Sequence, residues 1–165
     1  MRKRPFLTAL GSIAALTTSV LAFPAPASAA NPDQMSNPMQ TVCLQPVNGS
    51  TSPGQLIVQA TCNGSAVQRW TRSGLSYVNN GSGLCLNAAG PAIVGHIQTI
   101  QSQCNGSSSQ NWVPGSSVPG AVTSLKSQLS GNRCLERAGG AFVGNGAWLS
   151  PCIGTLDQQW LIPSN

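Results

Sequence analysis

Three times along the chain a cysteine is followed six residues later by glutamine and two residues after that by tryptophan. The copies run from Cys62 through Gln68 to Trp70, from Cys104 through Gln110 to Trp112, and from Cys152 through Gln158 to Trp160. Each has a second cysteine upstream in a Cys-Leu pair: Cys43-Leu44, Cys85-Leu86 and Cys134-Leu135. Adjacent motif tryptophans are 42 and 48 residues apart. A unit of that size cannot bury its own apolar face, so neighbouring units must share a core. The repeat absorbs all six cysteines and three of the four tryptophans, which leaves the architecture little freedom.

The first segment has a different character. Arg2, Lys3 and Arg4 precede an apolar run from Phe6 to Phe23, and Ala27-Ser28-Ala29 is a small-x-small cleavage signal. Residues 1–29 are therefore expected to be a secretory signal peptide. A transmembrane anchor is the competing reading. Thr8, Ser12, Thr17, Thr18 and Ser19 inside the run oppose it, as do Pro24 and Pro26 directly after it. The expectation is a secreted, extracellular monomer with no membrane attachment once the leader is gone. The formal charge of +5 also falls, because five cations face only Asp33, Glu136 and Asp157 from Ala30 onward, leaving +2. Those cations, Arg69, Arg72, Lys126, Arg133 and Arg137, are scattered, which argues against a nucleic-acid partner.

An even cysteine count in an exported chain reads as disulfides. Of the pairings open to six cysteines, one treats every repeat alike: Cys43–Cys62, Cys85–Cys104 and Cys134–Cys152, separated by 19, 19 and 18 residues. Each closed loop of this length contributes about 3 kcal/mol in the chain-entropy account. Zinc would need close pairs of the Cys-x-x-Cys kind, and the chain has none. Neither a metal nor a cofactor is expected.

Residues 30–40 carry two prolines and no periodicity and read as an N-terminal arm. From Thr41 to Asn165 short apolar or β-branched runs alternate with turn residues. Leu56-Ile57-Val58, Leu75 to Val78, Ile93-Val94 and Ile97 to Ile100 are strand-like. Asn-Gly pairs at Asn48, Asn63, Asn80, Asn105 and Asn145 suit tight turns. No window shows a helix-period stripe with caps. The predicted fold is all-β, a β-trefoil of three pseudo-threefold repeats with one disulfide in each; three blades would be fewer than a propeller uses.

The Cys-Leu pair, the Gly-rich turn, the second cysteine and the Gln-x-Trp together resemble the ricin B-type lectins and related bacterial carbohydrate-binding modules. The resemblance runs from about Thr41 to Pro163. It implies that Trp70, Trp112 and Trp160 lie in the core near the pseudo-axis, while Gln68, Gln110 and Gln158 tie the local turns. It also implies where sugar would sit: Asp two residues after the first cysteine, an aromatic two before the second, and a polar residue just before the motif glutamine.

The chain departs from that set in every copy. The Asp position holds Gln45, Asn87 and Glu136; the aromatic position holds Ala60, Ser102 and Ser150; the third position holds Val67, Ser109 and Asp157. A sugar needs acceptors for its hydroxyls and a ring face for its C–H side. The third repeat comes nearest, with Glu136 and Asp157 as acceptors and Asn145 in the adjacent turn. Trp148 lies four residues before Cys152, on the face of the missing aromatic by the period of two. It either stacks on a sugar or covers the barrel. Asn87 makes the second repeat the next candidate, and the first looks inactive.

Register is left open at this stage. Val58 and Ile100 sit four residues before their cysteines while Leu149 sits three before, and a bulge would bring Gln59 and Gln101 into the aromatic position.

Catalysis has little support. Glycoside hydrolysis needs two positioned carboxylates, and Glu136 with Asp157 is explained as well by hydroxyl binding. His96, the one histidine, follows Val94-Gly95 and reads as a solvated turn residue. The leader has bacterial character, and the four Asn-x-Ser sequons at Asn48, Asn63, Asn80 and Asn105 coincide with repeating turns, so they read as turn chemistry. The functional expectation is a non-catalytic module that binds a glycan or polysaccharide weakly. The alternative is a trefoil that has lost its sugar pockets and binds a protein, as a protease inhibitor or toxin-associated subunit.

Overall fold

The computed structural model describes residues 33–163 apart from Pro91, Val94, Pro119 and Ser130. The leader expected over residues 1–29 lies outside the described residues. The chain is all-β, as the alternating runs predict. Repeat one holds β1 (Val42–Pro46), β2 (Ile57–Thr61) and β3 (Trp70–Ser73). Repeat two holds β4 (Ser76–Asn79), β5 (Cys85–Asn87), β6 (Ala92–Ile93), β7 (His96–Gln98), β8 (Ile100–Ser102) and β9 (Trp112–Pro114). Repeat three holds β10 (Val122–Thr123), β11 (Leu125–Ser127), β12 (Arg133–Arg137), β13 (Ala147–Pro151) and β14 (Trp160–Leu161).

The last strands of repeats one and two pair with strands near the start of the following repeat, β3 with β4 and β9 with β11. The ring closes through the segment read from sequence as an arm. Ser36 bridges both Cys43 and Leu161, and Met35 is fully buried. Ser36 thereby holds the place of Val78, which pairs with Cys85, and of Lys126, which pairs with Cys134. The barrel thus begins before Thr41. Met35, Tyr77 and Leu125 are the equivalent inward residues of the three first strands, and all are fully buried.

The repeated motif builds the rest of the core. Leu44, Leu86 and Leu135 are fully buried, as are Trp70, Trp112 and Trp160. Each indole N–H donates to the carbonyl of its repeat's leucine, at 3.0, 3.0 and 2.9 Å. A buried indole with its one donor satisfied is fixed in orientation as well as in place. The three disulfides form as the repeat predicts, Cys43–Cys62, Cys85–Cys104 and Cys134–Cys152.

Cross-strand register is the same in all three hairpins. Gln45 faces Val58, Asn87 faces Ile100 and Glu136 faces Trp148. The bulge that sequence left open does not form, because the residue missing from repeat three falls in the turn between β12 and β13. Gln59 and Gln101 therefore occupy the place of Leu149, fully buried, not the aromatic position. Gln101 is tolerated there because its amide N–H₂ donates to the carbonyls of Ser50 and Ser52 and its oxygen accepts from Ser82.

Candidate functional site

Strand β12 alternates. Leu135 and Arg137 face one side, Cys134 and Glu136 the other. On the side of Glu136, β13 offers the two residues that oppose Cys134 and Glu136, namely Ser150 and Trp148. Strand β7 then lies against β13, with Gln98 opposite Trp148. Three strands from two repeats thus place Glu136, Trp148, Ser150 and His96 on one face.

Hydrogen bonds draw these side chains together. Glu136 Oε1 accepts from the Trp148 indole N–H at 3.2 Å and from the Ser150 hydroxyl at 3.0 Å. Its Oε2 accepts from the Gln158 amide at 2.8 Å. A carboxylate offers about four acceptor positions, so one remains for a ligand. The site's floor is rigid because Gln158 is itself locked. Its other bonds run to the Pro151 carbonyl at 2.7 Å and from the Ile153 and Gly154 N–H groups at 2.9 and 3.1 Å.

His96 is where the structure departs most from the sequence reading. It is no solvated turn residue but the first residue of β7, half-buried, with its ring stacked on Trp148 at a centroid distance of 4.5 Å and an interplanar angle of 19°. Its Nδ1 lies 2.6 Å from Ser150 Oγ. The single Ser150 proton is directed to Glu136, so Nδ1 carries the hydrogen and donates to Ser150. The only signal in the sequence was the alternation of His96 and Gln98, which needs the pairing partner of β7 to be known.

The other predicted site residues are committed elsewhere. Asp157 pairs with Arg137 at 3.2 Å; its side chain is 45 % exposed, whereas that of Arg137 is 4 %. The Arg137 guanidinium lies 5.3 Å from the Trp160 ring centroid and also donates to the Gln159 and Leu156 carbonyls. Burial lowers the pKa of Arg137 and the neighbouring Asp157 opposes that shift. Asn145 donates to the Ala138 carbonyl at 2.9 Å and braces the β12–β13 turn. Asn87 is buried, donates to Ser102 at 2.7 Å and leaves its own oxygen without a partner. The structure thus brings Glu136 and Trp148 together, joined by Ser150, Gln158 and His96. It bonds Asp157, Asn145 and Asn87 to other partners.

A closed threefold barrel, one disulfide per repeat and a buried Gln-x-Trp in each define a β-trefoil of the lectin type. The family model of the ricin-type beta-trefoil lectin domain matches residues 30–112, just over half of the chain, and the chain belongs to that family. The match covers the first two repeats, so the third, with Glu136, lies outside it. No curated protein matches the chain.

Among solved structures it is similar to the designed threefold-symmetric protein ThreeFoil, at 23% identity and a TM-score of 0.64, covering 80% of this chain and 97% of that one. An exo-β-1,3-galactanase from Clostridium thermocellum matches at 23% identity and a TM-score of 0.67, over 79% of this chain and 30% of the enzyme. The C-half of an earthworm R-type lectin, solved in complex with GalNAc, matches at 14% identity and a TM-score of 0.62, over 80% and 97%. At these identities the likeness establishes the fold.

Proposed function

We propose that this is a secreted, non-catalytic carbohydrate-binding module whose working site is in the third repeat. The observation that carries the reading is the convergence of three donors on the Glu136 carboxylate, with the half-buried Trp148 ring beside it. A carboxylate fixed in this way accepts from a ring hydroxyl without having to be ordered on binding, and the indole covers the C–H side of the sugar. The family supplies the precedent for sugar binding, and the earthworm lectin was solved with GalNAc. Repeats one and two place an amide and an aliphatic residue at the same positions, Gln45 with Val58 and Asn87 with Ile100, so neither has the charge or the ring.

Affinity is expected to be weak, because one carboxylate and one ring make a shallow contact. Glycan-array screening followed by titration calorimetry tests this. A bound glycan should lose at least about tenfold in affinity with Glu136→Ala, the scale of one charge-assisted hydrogen bond. An array without hits, or binding that survives that substitution unchanged, overturns the proposal.

A further inference from the structure

A recess of about 620 Å³ lies along β9, β11 and the turn that leads into β12, lined by Val113, Lys126, Gln128, Leu129, Gly131 and Asn132 among others. None of these residues is an acid. Lys126 is exposed, and among the described residues no acid forms an ion pair with it. A second cation lies behind one lining residue: a Cβ placed on Gly131 would be 3.8 Å from Arg133 Nε. Arg133 donates to the Gly95 carbonyl at 2.7 Å, a bond that holds the guanidinium in place and leaves its charge uncompensated. The recess is therefore electropositive, with the amides of Gln128 and Asn132 as further hydrogen-bonding groups.

Its position relative to Glu136 follows from the register. Val113, Lys126, Cys134 and Ser150 are directly opposite one another across β9, β11, β12 and β13. Directly opposed residues of antiparallel strands project to the same face. Lys126 and Ser150 therefore share the outer face of one sheet, two strand spacings or about 10 Å apart at the backbone. The Cys134–Cys152 disulfide stands between them.

We infer that the recess is an anion subsite, and that the glycan held at Glu136 carries a carboxylate or sulfate group on a neighbouring residue that reaches Lys126. The inference rests on the third-repeat reading for the first sugar, but the recess has its own test. Lysine supplies a solvated point charge, so its contribution to affinity is modest and salt-dependent.

The experiment is calorimetric titration of three oligosaccharides of one linkage: a uronic-acid form, its carboxyl-reduced neutral counterpart and a sulfated form. Each is titrated into the unaltered chain, Lys126→Gln and Glu136→Gln. At least one acidic form should bind about fivefold more tightly than the neutral one, with the preference shrinking as salt rises. Lys126→Gln should abolish the preference and leave neutral binding unchanged. Which acidic form is preferred separates carboxylate from sulfate.

The inference is overturned if no acidic form outbinds the neutral one, or if the preference survives Lys126→Gln. A preference that depends on Lys126 but is indifferent to Glu136→Gln sinks the third-repeat reading and leaves the recess standing. Neutral binding that depends on Glu136, with no acidic preference, does the reverse.

Discussion

Tyr77 fills the place in the second repeat that Met35 and Leu125 fill in the others, and it alone brings a hydroxyl into that layer. The side chain is fully buried and its oxygen has no hydrogen-bond partner. Burial raises its pKa to about 12, with Arg72 pulling the other way. The folded state thus holds this proton more tightly than the unfolded state. Stability is whole below the ordinary tyrosine value of 10.0 and is lost as pH climbs through about 12. Two consequences follow for Tyr77→Phe. At neutral pH it should stabilise by about 1 kcal/mol, since an unmade buried hydrogen bond is removed with little change of shape. At about pH 11 the advantage should widen, because the variant has no proton to lose there. Denaturant unfolding at both pH values checks this, and an equal or destabilising effect at both contradicts it. Placements that follow from one position were legible in the sequence, as that of Glu136 on the face of Cys134 was from its offset of two residues. His96 was not, because its partners Trp148 and Ser150 lie more than fifty residues away, on a strand its own hairpin reaches only through the fold.

At the scale of the element, the turn after each second cysteine is the most tightly specified piece of the chain. Gln68, Gln110 and Gln158 each end a short 3₁₀ turn and are fully buried. Each amide spans the turn: its oxygen accepts from the N–H of Asn63, Asn105 or Ile153, and its nitrogen donates to the carbonyl of Thr61, Gln103 or Pro151. Gly64, Gly106 and Gly154 take φ of 74°, 71° and 75° at the same point, a conformation that a Cβ disfavours. The Gln is therefore a brace for backbone that no strand ladder satisfies. Gln110→Met keeps the volume and removes the brace, and should cost about 2–4 kcal/mol by stranding the Gln103 carbonyl and the Asn105 N–H. A thermal melt of this variant in the oxidised state measures the loss. An unchanged midpoint would mean that solvent replaces the brace. These turns were legible because their residues recur. The hairpin register was ambiguous because Leu149 and the two buried glutamines, Gln59 and Gln101, share a position without sharing a polarity.

The whole molecule depends on a closure that the repeat conceals. Repeats two and three announce their first strands by position, Tyr77-Val78-Asn79 and Leu125-Lys126-Ser127. The equivalent Met35-Ser36-Asn37 shares with them only an apolar residue followed two later by Asn or Ser, and it follows a proline-containing stretch. Its function becomes clear from its bonds. Ser36 exchanges backbone hydrogen bonds with Leu161 at 3.2 and 2.8 Å, joining the start of the barrel to its end. Trp70 N–H donates to the Asp33 carbonyl at 2.8 Å, and Asn37 Oδ1 accepts from the Thr41 and Val42 N–H groups at 2.8 and 3.1 Å. Removing residues 33–40 would leave β14 without this partner, and would expose the core that Met35 covers. Truncating Met35 alone to Ala should cost about 2–5 kcal/mol, and total stability for such a domain is only about 5–15 kcal/mol. A chain that starts at Thr41 should therefore fail to melt cooperatively even with its three disulfides intact, because each bridge lies within one repeat and none spans the seam. Near-ultraviolet circular dichroism and a thermal scan read the outcome. Met39→Ser serves as the control on the same segment, since Met39 is 81 % exposed and should be neutral. A truncated chain that melts at the temperature of the longer one would show that the barrel closes without its first strand.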